Sequence, residues 1–411
     1  MQAAQRIVEP EKYSTRDRAF WKIIGALICA SLISFANLYF VQPMMPLFVR
    51  NFSISTAEAS LSLSLAVLAM MAGLLLFGFL SDRFGRRRIM DIGLALSILP
   101  IILMPFVPSF QLFLVLRIVQ GFFIACIPAA AIAYVSEEVA KQSVSIGIML
   151  YIAANGIGGM MGRVFIGYLS DHSGWRFALF GLLAADILLF LLYIWWIAPS
   201  RYFVPSQEPF KKDMIGMLTH LKSGLLIPLF LAGIMLQMAF TGVWTYLPFY
   251  LHAAPYEWSM KAISLTYFAY VAGVTGSVLA GRLSQNFLKT NLLLIGGAFF
   301  LLGTWMTVMG SGVAIVVGLA CNCLGFFVTH SLMTAIVNER AKHHKGGASS
   351  LYLFSYYFGV AAGGTLTAFI WENIGWMGVV LLSIFIIPFL VWIKISDKKL
   401  KPSHPQIRRS N

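Results

Sequence analysis

The sequence has 411 residues, of which 59% are hydrophobic and only 11% are charged. This composition excludes an ordinary soluble domain, whose surface must face water, and is typical of a chain with several membrane spans. The formal net charge of +14 would also suit a nucleic-acid partner. The Lys and Arg residues lie in short segments between apolar stretches, however, which indicates cytoplasmic loops and argues against nucleic acid.

Twelve apolar stretches follow one another along the chain, each long enough to cross a bilayer. About 20 residues of helix span the hydrocarbon core, and backbone groups in lipid must bond internally, so these stretches are predicted to be helices. The first is too long for a signal-peptide core and is interpreted as a retained span. Predicted helices 1 to 12 cover 23–49, 57–80, 89–107, 110–134, 144–169, 176–198, 224–250, 259–281, 291–309, 313–335, 347–370 and 376–393.

The basic residues predict the orientation. With the N-terminus inside, all but five of the 30 Lys and Arg residues fall in segments on the inner side. Three lie in outer segments (Arg50, Arg176 and Lys261), while Arg117 and Arg163 lie within spans. Both termini are therefore predicted to be cytoplasmic.

An internal repeat divides the chain into two halves. The segment Gly78–Arg86 (GFLSDRFGR) aligns with 281–289 (GRLSQNFLK) at an offset of 203 residues, and DHSGW at 171–175 aligns with ENIGW at 372–376 at an offset of 201. Parallel repeats of six helices are a known transporter architecture. The predicted organisation is a cytoplasmic tail (1–22), a six-helix bundle (23–198), a cytoplasmic linker (199–223), a second bundle (224–394) and a basic cytoplasmic tail (395–411).

No motif for catalysis, ATP use, a metal or another cofactor is present. The sequence lacks H-E-x-x-H, G-x-S-x-G and a Walker-type loop, so an enzyme and an ATP-driven pump are not expected. The cysteines lie inside apolar stretches and are interpreted as small buried hydrophobic residues. They are Cys29, Cys126, Cys321 and Cys323.

Two motifs resemble those of the major facilitator superfamily. The loop after helix 2, GFLSDRFGRRR at 78–88, contains the frame G-x-x-x-D-R-x-G-R-[RK], and LRIVQG at 116–121 is similar to the helix 4 motif. Helix 5 is glycine-rich, as in antiporter branches, but lacks their proline. Nearly the whole chain resembles the YnfM-type branch of bacterial inner-membrane carriers, which is grouped with drug and sugar efflux proteins. The resemblance implies an all-α membrane protein with two pseudo-symmetric six-helix bundles.

The resemblance also implies a cytoplasmic gate. The family's aspartate, here Asp82, caps the inner start of helix 11 when the carrier opens outward, and an anion is stabilised at a helix N-terminus. Arg86 is expected to reach Glu137 or Glu138. The predicted gate residues are Asp82, Arg83, Arg86, Glu137, Gly78 and Gly85.

Two arginines, an aspartate and a histidine lie well inside predicted spans, away from their ends, where a charge costs about 2.5–3.5 kcal/mol on insertion scales. Arg117 on helix 4 is favoured as a cavity residue over one that snorkels to the surface. Arg163 on helix 5, Asp186 on helix 6 and His330 on helix 10 are candidates for coupling to protons. Each also has a structural interpretation, as a side chain bonded to a neighbouring helix, and this is favoured for Asp186.

Further polar and aromatic residues lie on helices that line the cavity in this family. They suit an amphiphilic ligand, although most such residues in a membrane bundle simply join helices. The predicted cavity residues are Asn37, Gln42, Arg117, Gln120, Gln237, Trp244, Asn322, Tyr352 and Tyr356. The G-x-x-x-G pairs at 158–162 and 359–363 are expected at the contact between the halves, about which the bundles would rock.

The leading hypothesis is a monomeric secondary transporter that exports a small amphiphilic solute or drug from the cell in exchange for protons. Proton-coupled uptake of a small organic solute is the alternative within transport. A membrane sensor that has lost transport is a third class, because a fold alone does not fix function. The expected partners are the solute, protons and the lipid bilayer.

Overall fold

The computed structural model describes residues 12–206, 216–341, 343 and 345–400. The first half of the predicted N-terminal tail, the middle of the predicted linker and the end of the C-terminal tail lie outside the described residues. Within the described part, eleven helices are long and apolar enough to cross a membrane. The longest, Lys141–Trp196, is two spans, because Gly174 has non-helical dihedral angles (φ 76°, ψ 163°). Twelve spans result, which confirms the predicted all-α membrane fold.

The twelve spans begin and end within a few residues of the predicted stretches. Several extend beyond the apolar sequence by about one helical turn, since a helix does not stop where its side chains become polar. They are α1 Arg18–Phe52, α2 Thr56–Phe84, α3 Arg86–Phe106, α4 Phe110–Glu138, α5 141–173, α6 175–196, α7 Ile227–His252, α8 Met260–Leu283, α9 Lys289–Met306, α10 Gly312–Arg340, α11 Gly346–Ile374 and α12 Trp376–Asp397.

Two spans of the N-terminal bundle are interrupted close to prolines. Helix α1 consists of Arg18–Tyr39 and Val41–Phe52. Pro43 has no N–H for the carbonyl of Tyr39, so one rung of the helical ladder is missing at that point. Helix α4 is likewise interrupted after Ile124, four residues before Pro128. Such interruptions leave backbone carbonyls available to side chains.

The repeat is visible in the geometry. Gly174, between α5 and α6, and Gly375, between α11 and α12, both have positive φ values (76° and 71°), which glycine adopts without steric cost. Each is followed by a buried tryptophan that packs against an aromatic ring of its own bundle. Trp175 meets the Phe48 ring edge-on, and Trp376 stacks on Tyr250 with ring centroids 4.5 Å apart. The second aligned segment of the sequence thus forms the same turn in both halves.

The two bundles meet mainly through three helix pairs, α2 with α11, α5 with α8, and the second part of α1 with α7, and the second part of α1 also contacts α8. We call the end of the molecule with the α2–α3 loop and the linker the basic end, and the opposite end the far end. Side-chain hydrogen bonds between the bundles lie towards the far end. They join Gln42 to Thr245 (3.0 Å), Ser64 to the carbonyl of Ala361 (2.9 Å) and Thr56 to Glu372 (3.0 Å).

At the basic end, hydrogen bonds and ion pairs among the described residues stay within one bundle or reach the linker. A Cβ placed on Gly346, at the start of α11, would meet no described atom within 4 Å, whereas one on the next residue, Gly347, would lie 3.2 Å from Met217 of the linker. Among the described residues, the polar contacts between the bundles therefore lie at the far end and not at the basic end.

The two G-x-x-x-G pairs do not lie at the contact between the bundles, where they were expected. A Cβ on Gly158 or Gly162 would touch the backbone of α1, at 3.0 Å from Leu32 and 2.5 Å from Ala36, and the pair on α11 packs against α7 in the same way. These pairs lie inside the bundles, not at the contact between them. Neighbouring small positions occupy that contact instead. They are Gly167, whose Cβ would lie 2.4 Å from Ser264, and Gly364, whose Cβ would lie 2.3 Å from Ser64.

Candidate functional site

Arg163 of α5 lies at the contact between the bundles and is only 3% exposed. Its Nε donates to the side-chain oxygen of Gln42 on α1 (2.6 Å), and its Nη1 donates to the carbonyl of Gly159 (2.8 Å). The Gln42 amide in turn donates to the Thr245 hydroxyl on α7. The arginine is thus connected to a hydrogen bond that closes the far end.

Three tyrosine rings surround the same guanidinium. Its central carbon lies 4.2 Å from the ring centre of Tyr39 on α1, 5.3 Å from that of Tyr267 and 5.0 Å from that of Tyr270, both on α8. A cation over an aromatic face gains about 0.5–2 kcal/mol, and more where water is excluded. Both bundles contribute rings, so the cage around Arg163 exists only while α1, α5 and α8 are together.

A cluster of aromatic side chains in the C-terminal bundle continues from this cage. Most of its members are buried, and only His330 and Tyr356 are partly exposed. Phe240 stacks on Phe326 at 3.8 Å between ring centroids, and the Phe326 ring lies parallel to that of His330 at 5.9 Å. The Nδ1 atom of His330 is 3.0 Å from the Tyr352 hydroxyl, and its ring is 4.7 Å from that of Tyr356. We call the following six residues the aromatic wall: Phe240, Trp244, Phe326, His330, Tyr352 and Tyr356.

The wall and the cage are continuous. Trp244 lies 5.0 Å from Tyr267 and 5.1 Å from Tyr270, ring centre to ring centre. The Trp244 indole donates to the side-chain oxygen of Asn322 (3.3 Å), which fixes the ring and satisfies its N–H. Rings of this kind offer large apolar area with polar edges, a combination that suits amphiphilic molecules.

A separate polar network lies inside the N-terminal bundle. Asn37 of α1 donates to Asp186 of α6 (2.8 Å) and accepts from Gln120 of α4 (2.9 Å). Gln120 in turn accepts from Arg117. An acid and a base are thus joined through two neutral amides, and all four side chains are at most 1% exposed.

Arg117 is almost fully bonded within this network. Besides Gln120, it donates to the carbonyls of Ser62 (2.9 Å), Asn37 (2.6 Å) and Leu38 (2.7 Å). The last two carbonyls directly precede the break in α1. Four of the five N–H donors of the guanidinium therefore have acceptors, and the arginine joins α1, α2 and α4.

The basic end carries a second set of charged contacts. Arg86 forms ion pairs with Asp82 and with Glu137, the latter at 3.1 Å, and Arg83 lies 4.3 Å from the Phe79 ring centre. Gly85 has a φ of 102°, so it allows the chain to turn from α2 into α3. Gly78 faces open space, with no atom within 4 Å of a Cβ built on it.

Glu138, next to Glu137, is fully buried and anchors the beginning of the linker. Its carboxylate accepts from the backbone N–H groups of Arg201 (2.6 Å) and Tyr202 (3.0 Å), and it pairs with the Arg201 side chain at 3.5 Å. The two acids at the end of α4 therefore have different partners. Glu137 bonds the α2–α3 loop, and Glu138 bonds the linker.

The comparisons with known proteins agree with this architecture. The family model "Major Facilitator Superfamily" matches residues 27–364. The chain belongs to the major facilitator superfamily. It is a secondary transporter of the inner membrane that crosses the bilayer several times, and members of this superfamily are not enzymes.

Relatives of similar length extend over almost the whole chain. It is 32% identical to the uncharacterized MFS-type transporter YybF of Bacillus subtilis over 388 residues, covering 92% of this chain and 96% of that protein. It is 33% identical to the inner membrane transport protein YnfM of Escherichia coli over 377 residues, covering 91% and 90%. Among solved structures, a variant of the nucleoside transporter NupG aligns with a TM-score of 0.76 at 12% identity, covering 92% of this chain and all of that one.

Apart from the gate residues at the basic end, the predicted cavity and coupling residues lie in three separate places. The following belong to the cage or the aromatic wall or bond to them: Gln42, Trp244, Asn322, Tyr352, Tyr356, His330 and Arg163. Asn37, Arg117, Gln120 and Asp186 form the network inside the N-terminal bundle. Gln237 lies between α7 and α11, where its amide donates to Thr241 (3.0 Å) and its buried oxygen has no hydrogen-bond partner among the described atoms.

Several residues of this region were not singled out in the sequence. The cage tyrosines Tyr39, Tyr267 and Tyr270 escaped notice because aromatic residues are common in membrane helices, and no spacing distinguishes those that face a neighbour. Glu372, which bonds the start of α2 from the opposite bundle, was noted only as part of the repeat. Its position at a predicted loop, on the side poor in basic residues, was the available signal.

Proposed function

We propose that this transporter exports a small amphiphilic solute in exchange for protons, by alternating access about the contact between its bundles. The observation that carries the proposal is the aromatic wall with its adjoining cage, a largely apolar surface with one cation at the meeting point of α1, α5, α7, α8, α10 and α11. Such a surface holds an apolar body and orients one polar group.

The charge distribution supports a cytoplasmic position for the basic end. With that orientation, the far-end hydrogen bonds would close the periplasmic side. The basic end, which has no polar contact between the bundles among the described residues, would give a solute access from the cytoplasm. This is the state in which an exporter loads its cargo. In the opposite state, Asp82 would leave Arg86 and bond the N-terminus of α11, where free N–H groups stabilise an anion.

Export is favoured over uptake by one relative. The chain is 24% identical, over 77% of its length, to the chloramphenicol resistance protein CraA of Acinetobacter baumannii. Resistance to a compound that acts inside the cell is what export of that compound produces. The relative supports a direction for this chain, while the chemistry of its solute rests on the site.

Asp186 is our candidate for the proton site. It is a carboxyl group buried among spanning helices, and its bonded partner, Asn37, is a neutral amide that donates to one carboxyl oxygen. That hydrogen bond can persist whether or not the other carboxyl oxygen carries a proton. Deprotonation of Asp186 would leave a negative charge that is linked to Arg117 through the side-chain amides of Asn37 and Gln120. The attraction between the two charges would act on α1 beside the break in that helix. His330, in contrast, is bonded to Tyr352 within the aromatic wall and is assigned to solute contact.

The experiment uses everted membrane vesicles that hold an acidic interior, with a fluorescent dye that reports the pH gradient. Lipophilic cations, sugars and organic acids are added in turn to vesicles with the wild-type chain, Asp186→Asn or His330→Gln. We expect at least one solute to dissipate the gradient in the wild type and not in Asp186→Asn. His330→Gln should retain the response at a higher solute concentration.

Each contrary result has a definite meaning. A response in Asp186→Asn equal to that of the wild type would remove Asp186 as the proton site. Uptake of labelled solute into intact cells, driven by an inward proton gradient, would reverse the direction. No response to any solute class would reject coupling to protons.

A further inference from the structure

Arg163 is a buried charge without a counter-ion. None of the ion pairs among the described residues includes it. Only two of its five N–H donors, on Nε and Nη1, bond to described atoms. Arg117, equally buried, has four of its donors bonded to acceptors. An unpaired buried charge is costly, and a guanidinium in a span usually faces a cavity or a partner.

Packing does not explain why an arginine occupies this position. In the repeat, where Gly158 and Gly162 correspond to Gly359 and Gly363, the counterpart of Arg163 is Gly364. Gly364 touches Ser64 of the opposite bundle closely. The contact between bundles can therefore be formed by the smallest residue, and the N-terminal half instead places a long cation there, among three tyrosine rings.

The surroundings define what would neutralise this cation. The cage borders the aromatic wall, because Trp244 packs against Tyr267 and Tyr270. Tyr39 of the cage and His330 and Tyr356 of the wall are partly exposed, so the cage and the wall each keep an accessible edge. A molecule on the wall would present its polar end to the guanidinium, whose remaining donors match the two oxygens of a carboxylate. A cationic molecule would be repelled, and a neutral one would leave the charge without a counter-ion.

We infer that the transported solute is an amphiphilic organic anion, a carboxylate with an aromatic or aliphatic body, and that Arg163 binds its carboxylate while the aromatic wall binds its body. This inference rests on the proposed function for the existence of a solute and goes beyond it in naming the chemical class. It assigns Arg163 to solute binding, whereas Asp186 serves the proton.

Binding is measured on the purified full-length chain in detergent, by thermal unfolding at increasing ligand concentration, since a ligand that binds the folded state raises the unfolding temperature. The probes are cinnamate and octanoate, their neutral amides, and octylammonium. The variants are Arg163→Gln, Arg163→Lys and, as matched control, Lys261→Gln, which removes an exposed charge from α8 at the far end.

We expect at least one carboxylate to stabilise the wild type and Lys261→Gln equally, with no effect of its amide or of octylammonium. Arg163→Gln should weaken carboxylate binding by about ten- to a hundredfold, the range for a charge-assisted hydrogen bond. Arg163→Lys should recover part of the affinity, because it keeps the charge without the planar fork.

Three results would overturn the inference: no carboxylate binds the wild type, amides bind as well as carboxylates, or Arg163→Gln binds carboxylates unchanged. If Arg163→Gln does not fold, the comparison of acid with amide on the wild type still decides. The binding assay in detergent involves no proton gradient. If carboxylates bind but no solute changes the gradient in vesicles, only the proposed coupling to protons is rejected. If octylammonium alone changes the gradient, only the proposed solute class is rejected.

Discussion

Glu372 fastens the two bundles at the far end, and its neutralisation should shift the balance between the two states of the carrier. Its carboxylate, at the end of α11, accepts from the Thr56 hydroxyl (3.0 Å) and from the Ala57 backbone N–H (3.3 Å) in the first turn of α2. That helix already has its own cap, formed by Ser55 and Glu58. Glu372→Gln therefore weakens the contact between bundles without unravelling α2.

The size of the effect follows from the exposure of the site. A carboxylate at a helix N-terminus contributes about 0.3–1 kcal/mol of stability at an exposed position, and an exposed ion pair contributes a similar amount. Glutamine keeps one acceptor oxygen, so the loss should be about 1 kcal/mol. The ratio of far-end-open to far-end-closed molecules should then rise about fivefold.

The ratio is measured by electron–electron resonance between spin labels at Asn51 and Ala253, which lie at the far end on opposite bundles. Asp171→Asn is the matched control, because Asp171 is the counterpart of Glu372 in the repeat and forms no side-chain hydrogen bond to the other bundle among the described residues. A distance distribution for Glu372→Gln that equals those of the wild type and the control would refute the closing role of this carboxylate.

Three further variants test other parts of the structure. Asp82→Asn should raise the far-end-closed fraction in the same resonance experiment, because the proposed cap of α11 would lose its charge; an unchanged distribution would reject that cap. Gly162→Ala should lower stability by about 1–2 kcal/mol in thermal unfolding, since its Cβ would lie 2.5 Å from Ala36, whereas Gly281→Ala meets no atom and should be neutral or slightly stabilising. Arg117→Leu should unfold at a markedly lower temperature than Arg117→Lys, because it removes all side-chain hydrogen bonds to three buried carbonyls; equal temperatures would show that those bonds contribute little.

Hydropathy and charge were sufficient to predict the twelve spans, because each span must satisfy the same requirement of length and apolarity regardless of its neighbours. The repeat likewise aligned Gly174 with Gly375, and the structure places both in equivalent turns. The rotation of each helix about its axis was not available from this information. The G-x-x-x-G pairs are an example. Small residues at this spacing indicate that another helix packs closely, but they do not indicate which helix it is.

The sequence indicated many residues of the candidate site, but it did not indicate which of them lie together. Asp186 and Asn37 are 149 residues apart, and nothing local to either residue indicates that they meet. Arg117 and Arg163 look alike in sequence, as single bases within apolar spans. Only the structure separates them, because acceptors at the break in α1 satisfy the first while the second stands among tyrosine rings without an acid.

The far-end closure consists mainly of amides and hydroxyl groups, Gln42 with Thr245 and Ser64 with a carbonyl, whereas the basic end relies on ion pairs. Neutral hydrogen bonds have no net charge for dissolved salt to screen and no proton to gain or lose near neutral pH. Most of the far-end closure therefore changes little with salinity or acidity, and the Glu372 carboxylate is its ionisable member. In the orientation proposed above, the barrier that faces the external medium is thus largely insensitive to the salt and pH of that medium.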